Sequence, residues 1–175
     1  SLKDQYGCRV TGVEINKEQA RSATKRLDKV LSMSAEAAIK KLGNNKYDLI
    51  VANDVLEHLE DPYDLLRKLK NNLTKKGQII SSIPNVRNFH VVYALLKNKQ
   101  WKYTESGILD FTHLRFFTSE SIIEMYQNNG YKVIRQEGIN RDNNLPWWFK
   151  LVNLISRDKF EDMAYLQFVT ISEKK

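Results

Sequence analysis

The segment of residues 47–62 constrains the fold of this chain more than any other stretch of its sequence. It begins with the mainly apolar run 47–52, which is typical of a buried strand in a parallel sheet, and polar residues then fill 53–58. Asp61 is a good N-cap, and Pro62 suits the first position of a helix. Open α/β sheets bind ligands outside the carboxyl ends of their strands, so we expect chemistry at residues 53–58.

The same alternation of strands and helices extends along all 175 residues. Apolar runs and turn residues such as Gly77 predict strands at 9–15, 29–33, 47–52, 78–83, 131–135 and 164–172. Caps and apolar periodicity predict helices at 17–27, 35–42, 62–73, 88–97, 119–129 and 146–152. Residues 98–117 are expected to be a long irregular segment of the kind that often carries function. The pattern indicates one α/β domain over 1–175, with a mostly parallel sheet and an antiparallel last strand.

Charge and cysteine content narrow the classes of protein that the chain can belong to. The net charge is +7, but the basic residues are scattered, so we expect a solvated surface rather than a nucleic-acid partner. The single cysteine, Cys8, excludes an internal disulfide framework, fits a cytoplasmic location and is expected to be buried. No apolar run approaches the roughly 20 residues of a membrane span, and residues 1–5 contain no apolar stretch, so we expect neither a span nor a secretory leader.

Four short motifs resemble, in the same order, segments of class I S-adenosylmethionine-dependent methyltransferases. Residues 10–15 (Val-Thr-Gly-Val-Glu-Ile) are similar to the second strand of that family, with its acidic ribose ligand. Residues 53–59 resemble the segment after its fourth strand, and residues 82–85 the end of its fifth. Residues 109–118 resemble a stretch of a subgroup that often accompanies sugar and cell-envelope biosynthesis. The resemblance implies a Rossmann-like fold, with S-adenosylmethionine as the cofactor.

The glycine-rich loop of that family has no counterpart in this sequence. The loop lies roughly 20 residues before the ribose acid, and the seven glycines here form no Gly-x-Gly pair. We therefore expect a truncated chain whose first strand, between those of Glu14 and Asn53, is absent. Unpaired backbone groups at a buried edge cost about 1–3 kcal/mol each, so we expect weak cofactor binding, a rearrangement or a homo-oligomer.

Five residues are candidates for binding the cofactor. Glu14 ends a parallel strand, where a carboxylate can accept both ribose hydroxyls, and the alternative is that it only stabilises the next helix. The resemblance implies that Ile15 covers the adenine face, and that Ala35 and Glu36 lie at the adenine edge. It also implies that Asn53 lines the methionine end.

Histidine is the natural base for taking the proton of an acceptor hydroxyl near neutral pH. Of the three histidines, His113 is framed by Asp110 and Arg115 and is the first choice as catalytic base or acceptor contact. His58 is the second candidate, and His90 is expected on a helix surface. The alternative for His113 is a structural role, in which it hydrogen-bonds a neighbouring loop.

The order Asp54, Glu57, His58, followed later by His113, raises the question of a metal site. A similar acid-x-x-acid-His pattern binds a divalent metal in ubiquinone-biosynthesis O-methyltransferases and small-RNA 2′-O-methyltransferases. The Glu-His pair is also widespread in the superfamily without metal, where its side chains hold the loop. We predict no metal here.

Aromatic residues mark two further regions. Those of the irregular segment are expected to cover the acceptor: Trp101, Tyr103, Phe111, Phe116 and Phe117. Trp147 and Trp148 open an amphipathic helix and are expected to anchor it or to form a partner surface.

Three functions remain open at this point. The leading prediction is methyl transfer from S-adenosylmethionine to a hydroxyl of a small molecule or glycan. A non-catalytic module that keeps the fold is the second, and a nucleic-acid methyltransferase, suggested by the basic charge, is the third.

Overall fold

The computed structural model describes residues 2–175, which form two compact units that divide after Lys46. The first unit contains helix α1 (Leu2–Tyr6), strand β1 (Thr11–Val13), helix α2 (Lys17–Ala23), strand β2 (Lys29–Leu31) and helix α3 (Ala35–Leu42). β1 and β2 pair in parallel, with Val13 opposite Leu31. Their carboxyl ends therefore lie at the same edge of a two-stranded sheet.

Local capping explains where the helices of this unit begin and end. The side chain of Asn16 accepts the N–H groups of Glu18 and Gln19 at 2.9 and 3.2 Å, which starts α2 where the sequence predicts it. α2 ends at Ala23 rather than near residue 27, because the Thr24 hydroxyl donates to the Arg21 carbonyl and competes with the helical pattern. Cys8 is exposed, so the expectation of a buried thiol is wrong: it lies in the loop before β1.

The second unit contains most of the sheet. Its strands are β3 (Tyr47–Asn53), β4 (Leu73–Pro84), β5 (Tyr131–Arg141) and β6 (Tyr165–Lys174), and its helices are α4 (Pro62–Leu69), α5 (Phe89–Asn98), α6 (Ser119–Asn128) and α7 (Trp147–Ile155). The strand order is β3-β4-β6-β5, in which β3 and β4 are parallel and β6 is antiparallel to both of its neighbours. The predicted antiparallel last strand is thus confirmed, and residues 99–118 contain no helix or strand, as expected.

Two strands differ from the expectation for physical reasons. Gly77 lies inside β4 rather than at a turn, and a glycine is required there because a Cβ would come within 2.8 Å of the Tyr47 carbonyl oxygen on the adjacent strand. β3 is not a buried strand: it is the edge of its sheet, and Leu49 and Val51 are 42% and 52% exposed. Within residues 2–175, β1 pairs only with β2 and β3 only with β4, so the strand that the resemblance places between them is absent from this range.

Helices α4 and α6 pack against the sheet, and together they form the core of the second unit. The Tyr126 hydroxyl donates to Ser81 Oγ of β4 at 2.8 Å, and the Tyr131 hydroxyl donates to the Leu66 carbonyl of α4 at 2.7 Å. Burial raises the pKa of Tyr126 to about 12, so this phenol stays neutral. A separate cluster joins α5 to α7 through Phe89 and Phe149. These contacts hold the ends of β3 and β4 at one edge of the sheet.

Candidate functional site

A cavity of about 790 Å³ lies at the carboxyl ends of β3 and β4. Its wall includes Asp54 after β3 and Pro84 at the end of β4, which agrees with the expectation that chemistry follows these strands. One side of α5 and part of the irregular segment complete the wall. Both His58 and His113 line it.

The two histidines are adjacent although 55 positions separate them in the sequence. Their ring centroids are 4.7 Å apart in an edge-to-face arrangement. Nδ1 of His113 is 3.0 Å from the Ile108 carbonyl oxygen, and Nδ1 of His58 is 3.2 Å from the Thr112 carbonyl oxygen. A carbonyl only accepts hydrogen bonds, so these partners assign the proton of each neutral ring to Nδ1. Each Nε2 then carries a lone pair, and both residues line the cavity.

Asp110 and Thr112 fix the orientation of the His58 ring. The Thr112 hydroxyl and backbone N–H donate to Asp110 Oδ1 at 2.6 and 2.7 Å, and the same hydroxyl oxygen lies 3.2 Å from His58 Nδ1. Hydrogen bonding from the Thr112 side chain, then from its N–H, lowers the pKa of Asp110. Asp110 therefore serves as an ionised support for the loop rather than as a base.

Glu57 is the buried ionisable group next to the two histidines. Its side chain is 1% exposed, and neither carboxyl oxygen has a hydrogen-bond partner within the described part of the chain. Burial, followed by the charge of Asp54, raises the pKa of Glu57 to about 7. One ligand atom from each of Glu57, His58 and His113 lies within 4.8 Å of the others. These three residues could hold a divalent cation, so the prediction of no metal stays a prediction.

Other predicted neighbours of His113 have structural contacts. Arg115 donates from Nε to the Glu60 carbonyl at 3.1 Å, which joins the two loops, and it does not line the cavity. Asp54 has a positive φ of 50°, an uncommon conformation for a residue with a side chain, and accepts a hydrogen bond from Gln167 Nε2 at 2.5 Å. His90 is on the exposed side of α5, as expected, with Nε2 at 2.7 Å from Asp142 Oδ2.

The aromatic residues of the irregular segment do not form the wall. Trp101 and Phe116 pack edge to face at 5.1 Å outside the cavity, and Phe111 is 64% exposed. The wall is formed instead by the alternate residues Gln100, Lys102 and Thr104. Successive side chains of an extended segment point to opposite sides, which separates these two sets.

Residues of the last strand reach the cavity without any motif in the sequence to mark them. Leu166 and Gln167 belong to β6, and the register that places Gln167 opposite Pro84 brings them to this edge. Asn85, from the third motif, is fully buried, and its side-chain amide donates to the Asp162 and Tyr165 carbonyls at 2.8 and 3.1 Å. The Asn85 side chain therefore holds the loop in place and does not line the cavity.

Four of the five predicted cofactor residues lie in the first unit. Glu14 and Ile15 directly follow β1, and Ala35 and Glu36 follow the adjacent β2, so the structure brings them to one edge. Glu14 Oε1 accepts the Asn16 N–H at 2.8 Å, so the carboxylate also stabilises the start of α2. Glu14 borders a second cavity of about 430 Å³, and Ile15 is 72% exposed.

Asn53, the fifth predicted cofactor residue, ends β3. It is exposed, pairs with Ser82 in the ladder and is outside the set of residues that line the larger cavity. Its position at the carboxyl end of a parallel strand is the one the sequence predicts.

Comparison with known proteins gives one family. A family model described as "Methyltransferase domain" matches residues 1–136. An uncharacterized protein of Methanocaldococcus jannaschii is 30% identical over 125 residues, which are 71% of this chain and 56% of that relative. The chain thus spans little more than half the length of this curated relative.

Solved structures show the same fold. The structure of an S-adenosylmethionine-dependent methyltransferase from Archaeoglobus fulgidus aligns with a TM-score of 0.70 and 17% identity. The alignment covers 99% of this chain and 79% of the Archaeoglobus fulgidus chain. A second similar structure is the Burkholderia thailandensis 1,6-didemethyltoxoflavin-N1-methyltransferase with bound 1,6-didemethyltoxoflavin and S-adenosylhomocysteine. The alignment covers 98% of this chain and 63% of the Burkholderia thailandensis chain. Its TM-score is 0.60 and its identity 14%. The predicted Rossmann-like methyltransferase fold is confirmed.

Proposed function

Because this chain belongs to the methyltransferase-domain family, we propose that it transfers a methyl group from S-adenosylmethionine to a hydroxyl of a small molecule or glycan. The observation that carries the proposal is the pair of Nε2 lone pairs of His58 and His113 beside the larger cavity. The sulfonium is already a good leaving group, so the protein mainly has to hold the acceptor in line with the methyl group. A hydroxyl acceptor also needs a base, which a neutral imidazole supplies.

The roles divide between the two loops of the cavity wall. The acceptor oxygen attacks the methyl carbon, the carbon–sulfur bond breaks, and the hydroxyl proton passes to His113 Nε2, leaving S-adenosylhomocysteine. The Ile108 carbonyl accepts the Nδ1–H of His113, and this hydrogen bond stabilises the imidazolium that forms when Nε2 takes the proton. His58 lies against His113 and contacts the acceptor, while Thr112 keeps its ring in place.

The cofactor assignments follow the strand ends. Glu14 accepts the ribose hydroxyls, Ile15 covers the adenine face, Ala35 and Glu36 meet the adenine edge, and Asn53 meets the methionine end. Support comes from their positions directly after β1, β2 and β3, where this fold class binds ligands. The bound S-adenosylhomocysteine of the Burkholderia thailandensis enzyme supports the choice of cofactor.

The cavity itself favours a small acceptor. Its volume of about 790 Å³ lies within the usual range for small-molecule sites, and its wall contains both apolar and polar residues. The apolar side includes Pro84, Val91 and Leu109. A small acceptor is a better match to a cavity of this size than a polynucleotide chain is.

The unpartnered carboxylate of Glu57 favours a second way to activate the acceptor. A divalent cation held by Glu57, His58 and His113 would lower the pKa of a bound hydroxyl. Both rings donate Nδ1–H to main-chain carbonyls, as metal-bound histidines commonly do. With histidine as the base, turnover continues in EDTA. Loss of turnover in EDTA, with recovery on adding Mn²⁺, would show that a bound metal ion and not a histidine base activates the acceptor.

The test is a transfer assay with methyl-labelled S-adenosylmethionine and a panel of hydroxyl-bearing small molecules, saccharides and RNA. Calorimetric titration with S-adenosylhomocysteine measures cofactor binding separately. Glu14→Gln is expected to weaken that binding, whereas Glu18→Gln, on the exposed side of α2, is the matched control. Binding without transfer to any acceptor would favour the non-catalytic module, and transfer to RNA alone would favour the nucleic-acid enzyme.

A further inference from the structure

Helices α5 and α7 expose a large apolar area that the proposed reaction does not use. We call it the α5–α7 surface, and its exposed side chains are Tyr93, Leu95, Leu96, Trp147, Trp148, Leu151, Val152, Leu154 and Ile155. Trp147, Ile155 and Leu96 are 75%, 74% and 77% exposed. Exposed apolar patches of this kind usually mark an interaction site.

The two helices form one continuous surface because aromatic rings join them. Phe89 of α5 packs against Phe149 of α7 at 4.8 Å, and Tyr93 lies 6.1 Å from Trp148. Phe89 and Phe149 are buried and fix the helices to each other, while the outer rings stay accessible. The exposed residues are therefore held on a rigid base.

The two segments that carry this surface contain basic residues and no acidic ones. The segments 89–104 and 143–157 contain no aspartate or glutamate, but they contain Lys97, Lys99, Lys102, Lys150 and Arg157. All five of these basic residues are exposed, and Lys97 Nζ lies 5.1 Å from the centroid of the Tyr93 ring. Within these two segments every formal charge beside the apolar and aromatic side chains is therefore positive. The carboxylates that contact the two helices come from outside the segments, where Asp142 pairs with His90 and Asp158 accepts from Asn153.

We propose that the α5–α7 surface docks on a lipid bilayer that contains anionic lipids. Tryptophan and tyrosine prefer the interface between headgroups and acyl chains, and an amphipathic helix with basic residues lies in that plane. Each lysine or arginine near an anionic membrane surface adds to the binding. A symmetric contact between two copies would instead bring both sets of five cations together with no carboxylate from these segments to pair with them.

Docking in this way would place the proposed catalytic cavity beside the membrane. Val91 and Ala94 of α5 line the cavity, whereas Tyr93, Leu95 and Leu96 of the same helix are on the exposed surface. A hydroxyl-bearing acceptor carried by a lipid would therefore be within reach of the site. This extension rests on the proposed function, but the docking itself does not.

The test is flotation of the full chain with vesicles of phosphatidylcholine alone and of phosphatidylcholine with phosphatidylglycerol. Binding is expected only with the anionic vesicles, together with a blue shift of tryptophan fluorescence. Trp147→Ser with Ile155→Ser is expected to reduce binding at least about tenfold. Lys97→Gln with Lys150→Gln is expected to reduce it about fivefold per lysine, whereas the matched control Lys40→Gln with Lys41→Gln, on α3, leaves it unchanged.

Three results would overturn the proposal. The first is the absence of binding to anionic vesicles, and the second is binding that the two α5–α7 surface variants leave unchanged while their circular dichroism stays native. The third is a dimer, measured by sedimentation without vesicles, that Trp147→Ser with Ile155→Ser dissociates. None of these measurements depends on methyl transfer, so failure of docking and failure of the proposed reaction are distinguishable.

Discussion

The histidine pair beside the cavity and the α5–α7 surface differ in what holds their side chains. His58 and His113 each donate Nδ1–H to a main-chain carbonyl, and Glu57 is buried next to them. Trp147 and Ile155, in contrast, extend from a helix into solvent. A region whose side chains are fixed by hydrogen bonds is suited to chemistry, whereas an exposed apolar region is suited to contact with a partner. Substitutions should therefore affect activity at the first region and leave stability nearly unchanged at the second.

The largest expected effect is on catalysis. His113→Ala is expected to lower kcat/KM about 10²- to 10⁴-fold, because it removes the proposed general base. The measurement is steady-state turnover, with S-adenosylhomocysteine binding as a check that the fold and cofactor site persist. His90→Ala is the matched control, since His90 also borders the cavity but pairs with Asp142. Equal losses in both variants would contradict the assignment of His113.

The second prediction concerns the pH dependence of stability. In the metal-free protein the folded-state pKa of Glu57 is about 7, above the value of 4.5 for an unfolded chain, so the folded state keeps a proton that the unfolded state releases. The free energy of unfolding should fall as pH rises from 4.5 to 7. Glu57→Gln removes the titrating carboxyl. The free energy of unfolding of this variant, relative to that of the wild type, should therefore rise by about 1–3 kcal/mol between pH 4.5 and 7.

Urea unfolding in EDTA at several pH values measures the difference between Glu57→Gln and wild type. Glu60→Gln, at an exposed position in the same loop, is the control and should follow the wild type at every pH. A constant difference between Glu57→Gln and wild type would show that the Glu57 carboxyl titrates normally.

A smaller effect is expected at Thr112, which supports the His58 ring. Thr112→Val removes the hydroxyl that bonds Asp110 and His58, so we expect kcat to fall by up to about tenfold, which corresponds to one hydrogen bond of about 0.5–1.5 kcal/mol. Thr104→Val, whose hydroxyl contacts the Ser106 carbonyl at the same cavity, should change kcat less. A pH–rate profile that is unchanged in Thr112→Val would argue against His58 in the reaction.

The smallest effect is expected on the stability of the α5–α7 surface. Trp147→Ala should change the free energy of unfolding by no more than about 0.5 kcal/mol, because the Trp147 side chain is mostly exposed in the folded state and buries little surface on folding. Phe149→Ala, two positions away but buried, should cost about 3–5 kcal/mol. Chemical denaturation of both variants measures the contrast. A large cost at Trp147 would mean that the ring packs on the domain and is not available for docking.

None of the helices in residues 2–175 is long and apolar enough to cross a membrane. The contact with a bilayer that we propose involves side chains of the two helices α5 and α7.

The starts of the helices were the most predictable part of the fold, because capping signals are local, whereas α2 and α4 end earlier than the sequence predicts. Ser34 accepts the Ala37 N–H and Gly43 takes a positive φ of 54°, so α3 spans the residues that the sequence predicts, Ala35–Leu42. Asp61 likewise caps α4 by accepting the Asp64 N–H at 2.8 Å. Strand bounds were less predictable: β5 runs to Arg141 because β6 pairs with it over that length.

By itself the sequence determined the family and the alternation of strands and helices, and it proposed the two histidines that the structure places at one cavity. These follow from residue type and spacing, which act over a few positions. Only the tertiary structure decided that the His58 and His113 rings touch, that Glu57 is buried without a partner, and that Gln167 reaches Asp54 across 113 positions. Such contacts depend on strand register and loop packing, which connect residues that no local pattern relates.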